Sequence, residues 1–497
     1  MEAFVKTRSV WGSKWIVFIL ILAAFGVRLA RIEQPFVDPW SWRQCDVAAI
    51  ARNFSENGFR FGHPQIDWAG DAPGYVGTEF PILPFLAALC YRITGVQDWI
   101  GRMESVVFFV AGLPFFLLLV RRLYGERVAV WATFFYAFAP LSLVASRSFI
   151  PDAPSLSLAI MGLYFFVVWL EEGGGGAIVA AALFLSLVFL TKITIAVIAP
   201  VIAYLILVRS RENAFRSEKL ATRFRELCIF AVIVVVPSAV WYWHAWHISK
   251  IDYPYHFFGE GGFRIMNANW YWKIATETAL LGLTPILFVF AVIGAFVPGS
   301  GKYKWAFHWW LVSMVVFIFF AGWGNRHPWY QLPLVPVAAV FAGCFCQWTA
   351  TRLRWHPVVL MVVFVLVVLT FIISSYHASF PFYQPTSAAS RILGLELEKA
   401  TTSNALIIAV DNGNPAVFYY AHRKGWHFTK DGLYQGSPAS SVSAISDLKK
   451  LRSRGATHLV FTSQTRWWLT HYRDFADYLA TNATLVEEKP EFIIYKL

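Results

Sequence analysis

The chain has 497 residues, of which 57% are hydrophobic and only 14% are charged. Soluble domains carry about 25% charged residues, so this composition excludes an ordinary soluble globular protein. The formal net charge is +12, but membrane proteins concentrate Lys and Arg in their cytoplasmic loops, so the charge does not indicate a nucleic-acid-binding protein. The five cysteines show neither metal-type spacing nor a disulfide framework.

The apolar residues form long blocks, as in a polytopic α-helical membrane protein. The N-terminal block follows Lys6, Arg8 and Lys14 without a small-residue cleavage site, which predicts a retained first span and no removed signal peptide. The blocks predict about 11 transmembrane helices, at residues 15–29, 106–120, 128–145, 154–170, 177–190, 193–208, 227–243, 279–297, 305–321, 332–348 and 357–373.

The basic residues predict the orientation of these spans. With a cytoplasmic N-terminus, four of the five inner loops are rich in Lys or Arg, the longest being 209–226, and the other loops hold more Asp, His and Trp. The positive-inside rule therefore predicts the N-terminus inside and the C-terminal segment outside. The apolar run Phe80–Tyr91 is too short for a span and would invert every later loop, so it predicts a helix lying at the outer interface.

The chain divides into two predicted domains. Residues 1–380 form a transmembrane domain with a first outer loop at 31–100, and residues 385–497 form a small outer α/β domain, because strand-like and helical patterns alternate there. The predicted helices are Arg391–Lys399, Val442–Arg454 and Trp467–Thr481, and the predicted strands are Ala405–Val410, His458–Thr462 and Phe492–Tyr495.

Three aspartates are candidates for chemistry on the outer side. Asp38 follows the first span, Asp46 precedes a predicted short helix at Val47–Asn57, and Asp152 lies in a short loop between two spans. Carboxylates held at a membrane surface can activate a hydroxyl or amine acceptor as a general base, or hold a cation. Each also has a structural interpretation, as a turn residue for Asp38 and as a helix cap for Asp46 and Asp152.

Lys192 is an isolated charge in an apolar sequence. A lysine at membrane depth is costly, and an anionic lipid phosphate would compensate it; snorkelling to the interface is the alternative. Arg147, Arg326 and Tyr330 are further candidates for the same phosphate, since the planar guanidinium of Arg matches phosphate oxygens.

A carboxylate and imidazoles from separate outer loops can together bind a divalent metal. Glu79, His256 and His327 are the candidate ligands for a divalent metal, and interfacial hydrogen bonding is the alternative for the two histidines. The sequence contains no GxxxxGK[ST], GxSxG or HExxH motif, which argues against a P-loop ATPase and a zincin-type protease.

Taken in order, these features resemble the GT-C superfamily of polytopic glycosyltransferases. More narrowly, they resemble the bacterial branch of the dolichyl-phosphate-mannose protein mannosyltransferase family, which includes the aminoarabinose transferase acting on lipid A. The resemblance covers the whole membrane part, where it rests on features such as the acidic first loop and the Thr191-Lys192 turn, and it includes the final outer domain. The sequences that carry it are WRQCDVAAIARNF (42–54), PGYVGTEFPILPFL (73–86), RSFIPD (147–152) and RHPWYQLPLVPV (326–337).

The resemblance implies roles for individual residues. The catalytic first-loop Asp of the family corresponds to Asp38, with Asp46 as the alternative, and the second-loop Asp corresponds to Asp152. The Glu that opens the helix after the loop corresponds to Glu79.

One departure from the family pattern affects the donor phosphate. Many relatives have Glu-Lys-Pro where this chain has Glu79-Phe80-Pro81. The phosphate role of that lysine therefore passes to Lys192 or Arg43.

The resemblance also implies a reaction and a location. A polyprenyl-phosphate-linked monosaccharide is transferred to a glycolipid, lipopolysaccharide or protein acceptor at the periplasmic face of a bacterial inner membrane, with a divalent metal as a candidate cofactor. The acceptor attacks the anomeric carbon, and the lipid phosphate leaves. An oligosaccharide ligase with a lipid-diphosphate donor and a transporter of lipid-linked sugars are the alternatives; transporters place ionisable residues near the midplane and often contain repeats, and no repeat is found here.

Overall fold

The computed structural model describes residues 2–211, 220–258, 262–297, 299, 301–352, 356–430, 432–433 and 436–497. Residues 212–219 of the basic loop 209–226 lie outside this part of the chain. The chain packs as two compact units. The helical unit comprises Met1–Ile32, Arg102–Trp241 and Gly259–Pro381, and the mixed unit comprises Glu33–Gly101, Tyr242–Phe258 and Phe382–Leu497.

Twenty α-helices are found in the described residues. They are α1 Glu2–Arg28, α2 Ser41–Asn57, α3 Ile82–Thr94, α4 Asp98–Tyr124, α5 Glu126–Phe138, α6 Pro140–Ala145, α7 Asp152–Glu172, α8 Gly175–Thr191, α9 Ala199–Arg211, α10 Leu220–Ile251, α11 Ala268–Glu277, α12 Pro285–Ala295, α13 Ala306–Ala321, α14 Leu334–Arg352, α15 Pro357–Ser379, α16 Ala388–Ala400, α17 Ala416–Ala421, α18 Ser441–Ser453, α19 Trp468–His471 and α20 Arg473–Asn482.

Each predicted span coincides with helical structure, but fewer helices are long and apolar enough to cross a membrane. Within the described residues seven helices meet both conditions, or eight if the bent pair Ala268–Leu283 and Pro285–Ala295 forms one span. That pair bends by 106° at Thr284, whose φ of 80° breaks the helix ahead of Pro285. The protein is therefore a multi-pass membrane protein by its helices, and eleven spans stay a prediction.

Close helix packing in the helical unit depends on glycines. A Cβ added to Gly294 of α12 would lie 1.8 Å from the carbonyl oxygen of Phe341 in α14. A Cβ added to Gly343 of α14 would lie 2.8 Å from the carbonyl oxygen of Val128 in α5. Small residues let membrane helices approach until their backbones touch, so α14 packs tightly against both neighbours.

The mixed unit contains a five-stranded sheet of strands β1 Leu406–Val410, β2 Gly425–His427, β3 Ala456–Thr462, β4 Thr484–Lys489 and β5 Phe492–Lys496. The strand order is β2-β1-β3-β5-β4. Strand β1 pairs in parallel with β2 and β3, whereas β5 pairs antiparallel with β3 and β4. Strand β1 is a continuous apolar run, as expected for a strand covered on both faces, and β3 is buried from Leu459 to Thr462.

The two faces of the sheet are covered by different parts of the chain. On one face, Trp468 and Phe475 pack with Ile408 and other residues of the sheet. On the other face, Ile50 and Phe54 of α2 join the core that contains Ile407. The first outer loop therefore shares a core with the C-terminal strands, whereas the predicted domains are contiguous ranges that place it with residues 1–380.

Candidate functional site

Asp38 lies in a tight turn before α2, in the mixed unit. Its Oδ1 accepts a hydrogen bond from the backbone N–H of Trp40 at 2.9 Å, and Gln44 Nε2 donates to both carboxylate oxygens at 2.9 and 3.1 Å. The residue is buried. Asp38 therefore lies in a turn, as its structural interpretation predicts. The same hydrogen bonds fix the direction of its carboxylate, which a general base requires.

Asp46 lies inside α2, and it does not cap the helix, because α2 begins at Ser41. Its Oδ1 accepts a hydrogen bond from the indole Nε1 of Trp68 at 3.0 Å. Burial raises the pKa of Asp46 to about 6, although the Trp68 hydrogen bond and the charge of Arg43 act in the opposite direction. The protonation of this carboxyl group therefore changes near neutral pH.

Arg43 and Glu79 form a buried ion pair. The Arg43 Nη2 atom lies 3.1 and 2.9 Å from the two carboxylate oxygens of Glu79, and its guanidinium lies 4.6 Å from the ring centroid of Phe258. Thr78 Oγ1 donates a further hydrogen bond to Glu79. A residue predicted to hold phosphate and a residue predicted to hold metal thus compensate each other's charge.

The mixed unit brings His256 close to Trp68, with 5.3 Å between ring centroids. Burial and the nearby Arg43 lower the pKa of His256 to about 4, so its imidazole is neutral at pH 7. Within the described residues, no group of three or more His, Cys, Asp or Glu side chains could hold a metal ion. A metal role for Glu79, His256 and His327 stays a prediction without a ligand set.

In the helical unit, Asp152 and Lys192 form a second buried ion pair. Asp152 is the first residue of α7, and Lys192 lies where α8 ends and the 3₁₀ turn Ile193–Ile198 begins. The Lys192 Nζ is 3.2 Å from Asp152 Oδ1 and 4.9 Å from the ring centroid of Tyr330. Three of the predicted site residues therefore meet at one point, although 40 positions separate the two charged residues.

Arg147 belongs to a set of arginines buried in the helical unit. Its Nη2 donates to the carbonyl of Arg31 at 2.6 Å, and Arg102 donates to the carbonyl of Arg147 at 3.2 Å. Arg28 donates to Ser146 Oγ at 2.5 Å. The sequence analysis does not select Arg28 and Arg102. Both are charged residues inside or beside an apolar run, so the criterion that selects Lys192 could also have found them.

The segment from Arg326 to Tyr330 is built from short 3₁₀ turns. Arg326 is exposed and donates to the carbonyl of Trp323 at 3.2 Å. The His327 ring stacks on Trp329 with 4.4 Å between centroids. Of the candidates in this segment, Tyr330 lies beside Lys192, Arg326 bonds locally to Trp323, and His327 stacks on Trp329.

An Asp–His contact in the mixed unit is also missed by the sequence analysis. His427 Nδ1 lies 2.8 and 2.9 Å from the two carboxylate oxygens of Asp411, and its ring lies 5.2 Å from that of Trp68. Asp411 follows β1 and His427 ends β2. The carboxyl ends of neighbouring parallel strands meet at one sheet edge, which brings Asp411 and His427 together. Because β2 has only three residues, its sequence shows no strand pattern from which this contact could be predicted.

The helical unit contains an apolar cavity of about 590 Å³. Its walls come from α11 to α14 and include Ile274, Leu283, Phe288, Leu311 and Phe341. The π-helical turn Thr278–Leu283 at one side of the cavity contacts the 3₁₀ turn Pro328–Gln331, which carries Tyr330. The cavity thus adjoins the segment that meets Lys192.

Comparison with known proteins finds a family model that matches part of the chain and several related folds. Residues 73–243 match the family model for dolichyl-phosphate-mannose-protein mannosyltransferase. ArnT from Cupriavidus metallidurans bound to undecaprenyl phosphate is similar with a TM-score of 0.67 and 13% identity, over 97% of this chain and 98% of that one. No curated protein matches the sequence significantly.

Two other solved structures have related folds. Archaeal oligosaccharyltransferase AglB from Archaeoglobus fulgidus, in complex with an inhibitory peptide and a dolichol-phosphate, gives a TM-score of 0.59 at 12% identity, over 91% of this chain and 70% of that one. Arabinofuranosyltransferase AftD from Mycobacteria gives 0.55 at 13% identity, over 97% of this chain and 40% of that one.

Proposed function

We propose that this chain, which has the GT-C glycosyltransferase fold and resembles the dolichyl-phosphate-mannose protein mannosyltransferase family, transfers a monosaccharide from a polyprenyl-phosphate donor to an acceptor. The observation that carries the proposal is the buried pair of Asp152 and Lys192 beside Tyr330. Lys192 is a fixed cation, and the turn that carries Tyr330 contacts the π-helical turn at one side of the apolar cavity. A lipid phosphate requires both a cation and an apolar surface.

The chemistry of the leaving group explains the use of Lys192. When the bond between the anomeric carbon and the phosphate oxygen breaks, the lipid phosphate gains negative charge. An ammonium group has three N–H donors, so Lys192 can hold a phosphate oxygen while it remains bonded to Asp152. A fixed donor in a site with little water stabilises that developing charge more than the same donor would in water.

The cavity in the helical unit fits the polyprenyl chain. Its lining is aliphatic and aromatic, and its volume of about 590 Å³ suits several isoprene units. Two relatives of the same fold were solved with undecaprenyl phosphate and dolichol-phosphate. These lipids combine a phosphate with a long apolar chain, which supports a lipid-phosphate donor for this chain.

Asp38 is the proposed general base, with Asp46 as the alternative. Its carboxylate accepts the proton of the acceptor hydroxyl or amine while the acceptor atom bonds to the anomeric carbon and the phosphate leaves with the bonding electron pair. One direct displacement inverts the anomeric centre. Asp38 is favoured because Gln44 and Trp40 hold its carboxylate in one direction, and because it corresponds to the first-loop Asp of the family that this chain resembles.

The remaining predicted ligands take supporting roles in this proposal. Asp152 holds Lys192 in position, so it acts as a positioning residue. Arg147 is part of the buried arginine set and adds positive potential to the phosphate region. Arg43 positions Glu79, and the exposed Arg326 contacts the donor phosphate only when the lipid is bound.

The proposed cell location and acceptor rest on the family resemblance. We propose a bacterial inner membrane with the reaction at its periplasmic face, and a glycolipid, lipopolysaccharide or protein as the acceptor. An oligosaccharide ligase with a lipid-diphosphate donor is the second candidate, because AglB shares the fold. A single buried ammonium beside the cavity suits a monophosphate better than a diphosphate.

A deletion strain tests the proposal. Mass spectrometry of its glycolipids, lipopolysaccharide and glycoproteins is expected to show the loss of one monosaccharide modification. The wild-type gene restores the modification, and Asp38→Asn does not, although that variant is present in the membrane at the same level. An unchanged set of glycoconjugates in the deletion strain would contradict the proposed activity. Full restoration by the double variant Asp38→Asn with Asp46→Asn would contradict both candidate bases.

A further inference from the structure

A second cavity, of about 500 Å³, lies in the helical unit and takes no part in the proposed reaction. It is formed where α4 ends and α5 begins, at the C-terminal end of α14, and by residues between α12 and α13. Its polar lining residues are Arg121, Arg122, Tyr124, Gln347, Thr351 and Arg352. None of its lining residues is acidic.

The arginines of this cavity are only partly compensated. Arg122 donates to Glu171 at 2.9 Å and to Glu172 at 2.5 Å, so it is fixed from one side. Arg121 lies 3.6 Å from Glu126, and both side chains are about half exposed. Exposed pairs at such a distance contribute little, so Arg121 keeps most of its attraction for a further anion.

The floor of the cavity is apolar, unlike its rim. Leu123, Val128 and Val297 line it, and Trp348 is 40% exposed beside them. A Trp at such a position is typical of the membrane–water interface, where one side of the ring contacts lipid chains. The cavity thus offers cations to an anionic group and an apolar wall to a chain attached to it.

The predicted orientation places this cavity on the cytoplasmic side. Its residues come from three of the loops that the positive-inside rule assigns to that side, at 121–127, 300–304 and 351–356. The cytoplasmic leaflet carries anionic lipids, and basic pockets between transmembrane helices on that side bind anionic lipid head groups.

We propose that this cavity binds the phosphodiester head group of an anionic phospholipid. The phosphate lies between Arg121 and Arg352, which project from different helices, and the lipid chain follows Trp348. The bound lipid connects the α4–α5 corner to the end of α14. It is independent of the proposed transfer reaction, because none of these residues belongs to the site at Lys192.

Lipid binding to the purified protein in detergent tests this proposal. Native mass spectrometry with added phosphatidylglycerol, cardiolipin and zwitterionic phosphatidylethanolamine measures the bound fraction of each. The double variant Arg121→Gln with Arg352→Gln removes two rim charges, and removal of each arginine is expected to weaken anionic-lipid binding about fivefold. Arg127→Gln is the control, because Arg127 is an exposed arginine of the same corner that does not line the cavity.

The outcomes separate this site from general adsorption of lipid. We expect retention of anionic lipid by wild type and by Arg127→Gln, loss by the double variant, and equal lipid-free melting temperatures of all three proteins. Equal binding by the double variant and the control overturns the proposal, as does equal binding of the zwitterionic lipid. Complete displacement by millimolar inorganic phosphate also overturns it, because a free anion would then be the ligand.

Discussion

Lys192 has an internal partner that its sequence context does not reveal. The sequence shows an isolated charge in an apolar run, which predicts an external anion as its partner. The structure adds an internal partner, Asp152, at 3.2 Å. Because the two charges nearly cancel, Asp152 offsets the free energy cost of burying Lys192, and no external anion is needed for that purpose. Phosphate binding then depends on the position of the ammonium group and on its N–H donors.

The pair can be removed without leaving a lone buried charge. Breaking a buried ion pair on one side is strongly destabilising, whereas replacing both partners by neutral groups of similar size is often tolerated. We therefore expect the double variant Lys192→Met with Asp152→Asn to fold and to lose binding of undecaprenyl phosphate at least tenfold. The measurement is the rise in melting temperature with added undecaprenyl phosphate.

The single variant Lys192→Arg is the matched control for this measurement. It keeps a cation opposite Asp152 and leaves no lone buried charge, so phosphate binding should persist if the cation at position 192 holds the phosphate. Undiminished binding by the double variant would show that the phosphate lies elsewhere.

Asp46 gives a prediction of stability against pH. Its pKa in the folded protein is about 6, above the ordinary value of 3.8, so its contribution is most favourable below about pH 4 and is lost as the pH rises through 6. Asp46→Asn lacks this loss. The melting temperature of the variant minus that of wild type should therefore rise between pH 4 and 6 and stay constant above.

The same group separates the two candidate bases. If Asp46 were the base, the transfer rate would fall as the pH drops below about 6, and Asp46→Asn would be inactive. With Asp38 as the base, Asp46→Asn keeps transfer activity, and its pH profile loses any limb near pH 6.

For the stability prediction, a melting-temperature difference between Asp46→Asn and wild type that does not change between pH 4 and 8 would contradict the raised pKa of Asp46.

At the scale of helices and strands, local sequence patterns locate some elements and miss others. The apolar blocks locate α7 and α14 closely, and the strand patterns locate β1 and β3. Strand β4 was missed because its sequence, TLVEEK, is half charged and its residues lie mostly exposed at a sheet edge. The bend at Thr284 was missed because apolar residues continue across it, so hydropathy alone does not reveal the break.

Glycine contacts between helices give a prediction at this scale. A Cβ at position 294 would lie 1.8 Å from the Phe341 carbonyl oxygen, so α12 and α14 must separate to admit it. Overpacking of this kind costs about 1–3 kcal/mol, and Gly294→Ala should lower the melting temperature in detergent. Gly26→Ala in α1 is the control, since nothing lies within 4 Å of its Cβ. An equal effect of the two substitutions would contradict the close contact.

For the whole molecule, the sequence predicts the fold superfamily and the orientation but not the interleaving of the chain. Residues Ile50 and Ile407 share one core, and no local pattern connects positions so far apart. The contacts of Asp38 with Gln44 are local and could be anticipated from a turn before a helix. The contacts of Lys192 with Asp152 and of His427 with Asp411 depend on tertiary packing, so the sequence supplied candidate residues without their partners.

The predicted orientation is tested by cysteine labelling in intact cells. Ser403 is exposed in the segment predicted outside, and Gly176 is exposed in a loop predicted inside. In a background without the exposed Cys90 and Cys228, an impermeant maleimide should react at Ser403→Cys and fail to react at Gly176→Cys until the membrane is permeabilised. Reaction at position 176 alone would reverse the orientation.

Reconstituted transfer distinguishes a lipid monophosphate donor from a lipid diphosphate donor. The whole labelled lipid-linked sugar fraction from wild-type membranes, which contains both kinds of donor, is mixed with purified protein and with acceptor membranes of the deletion strain. We expect transfer of label with release of one polyprenyl phosphate for each sugar, and loss of this transfer in Asp38→Asn. Release of polyprenyl diphosphate, or equal transfer without the protein, would contradict it.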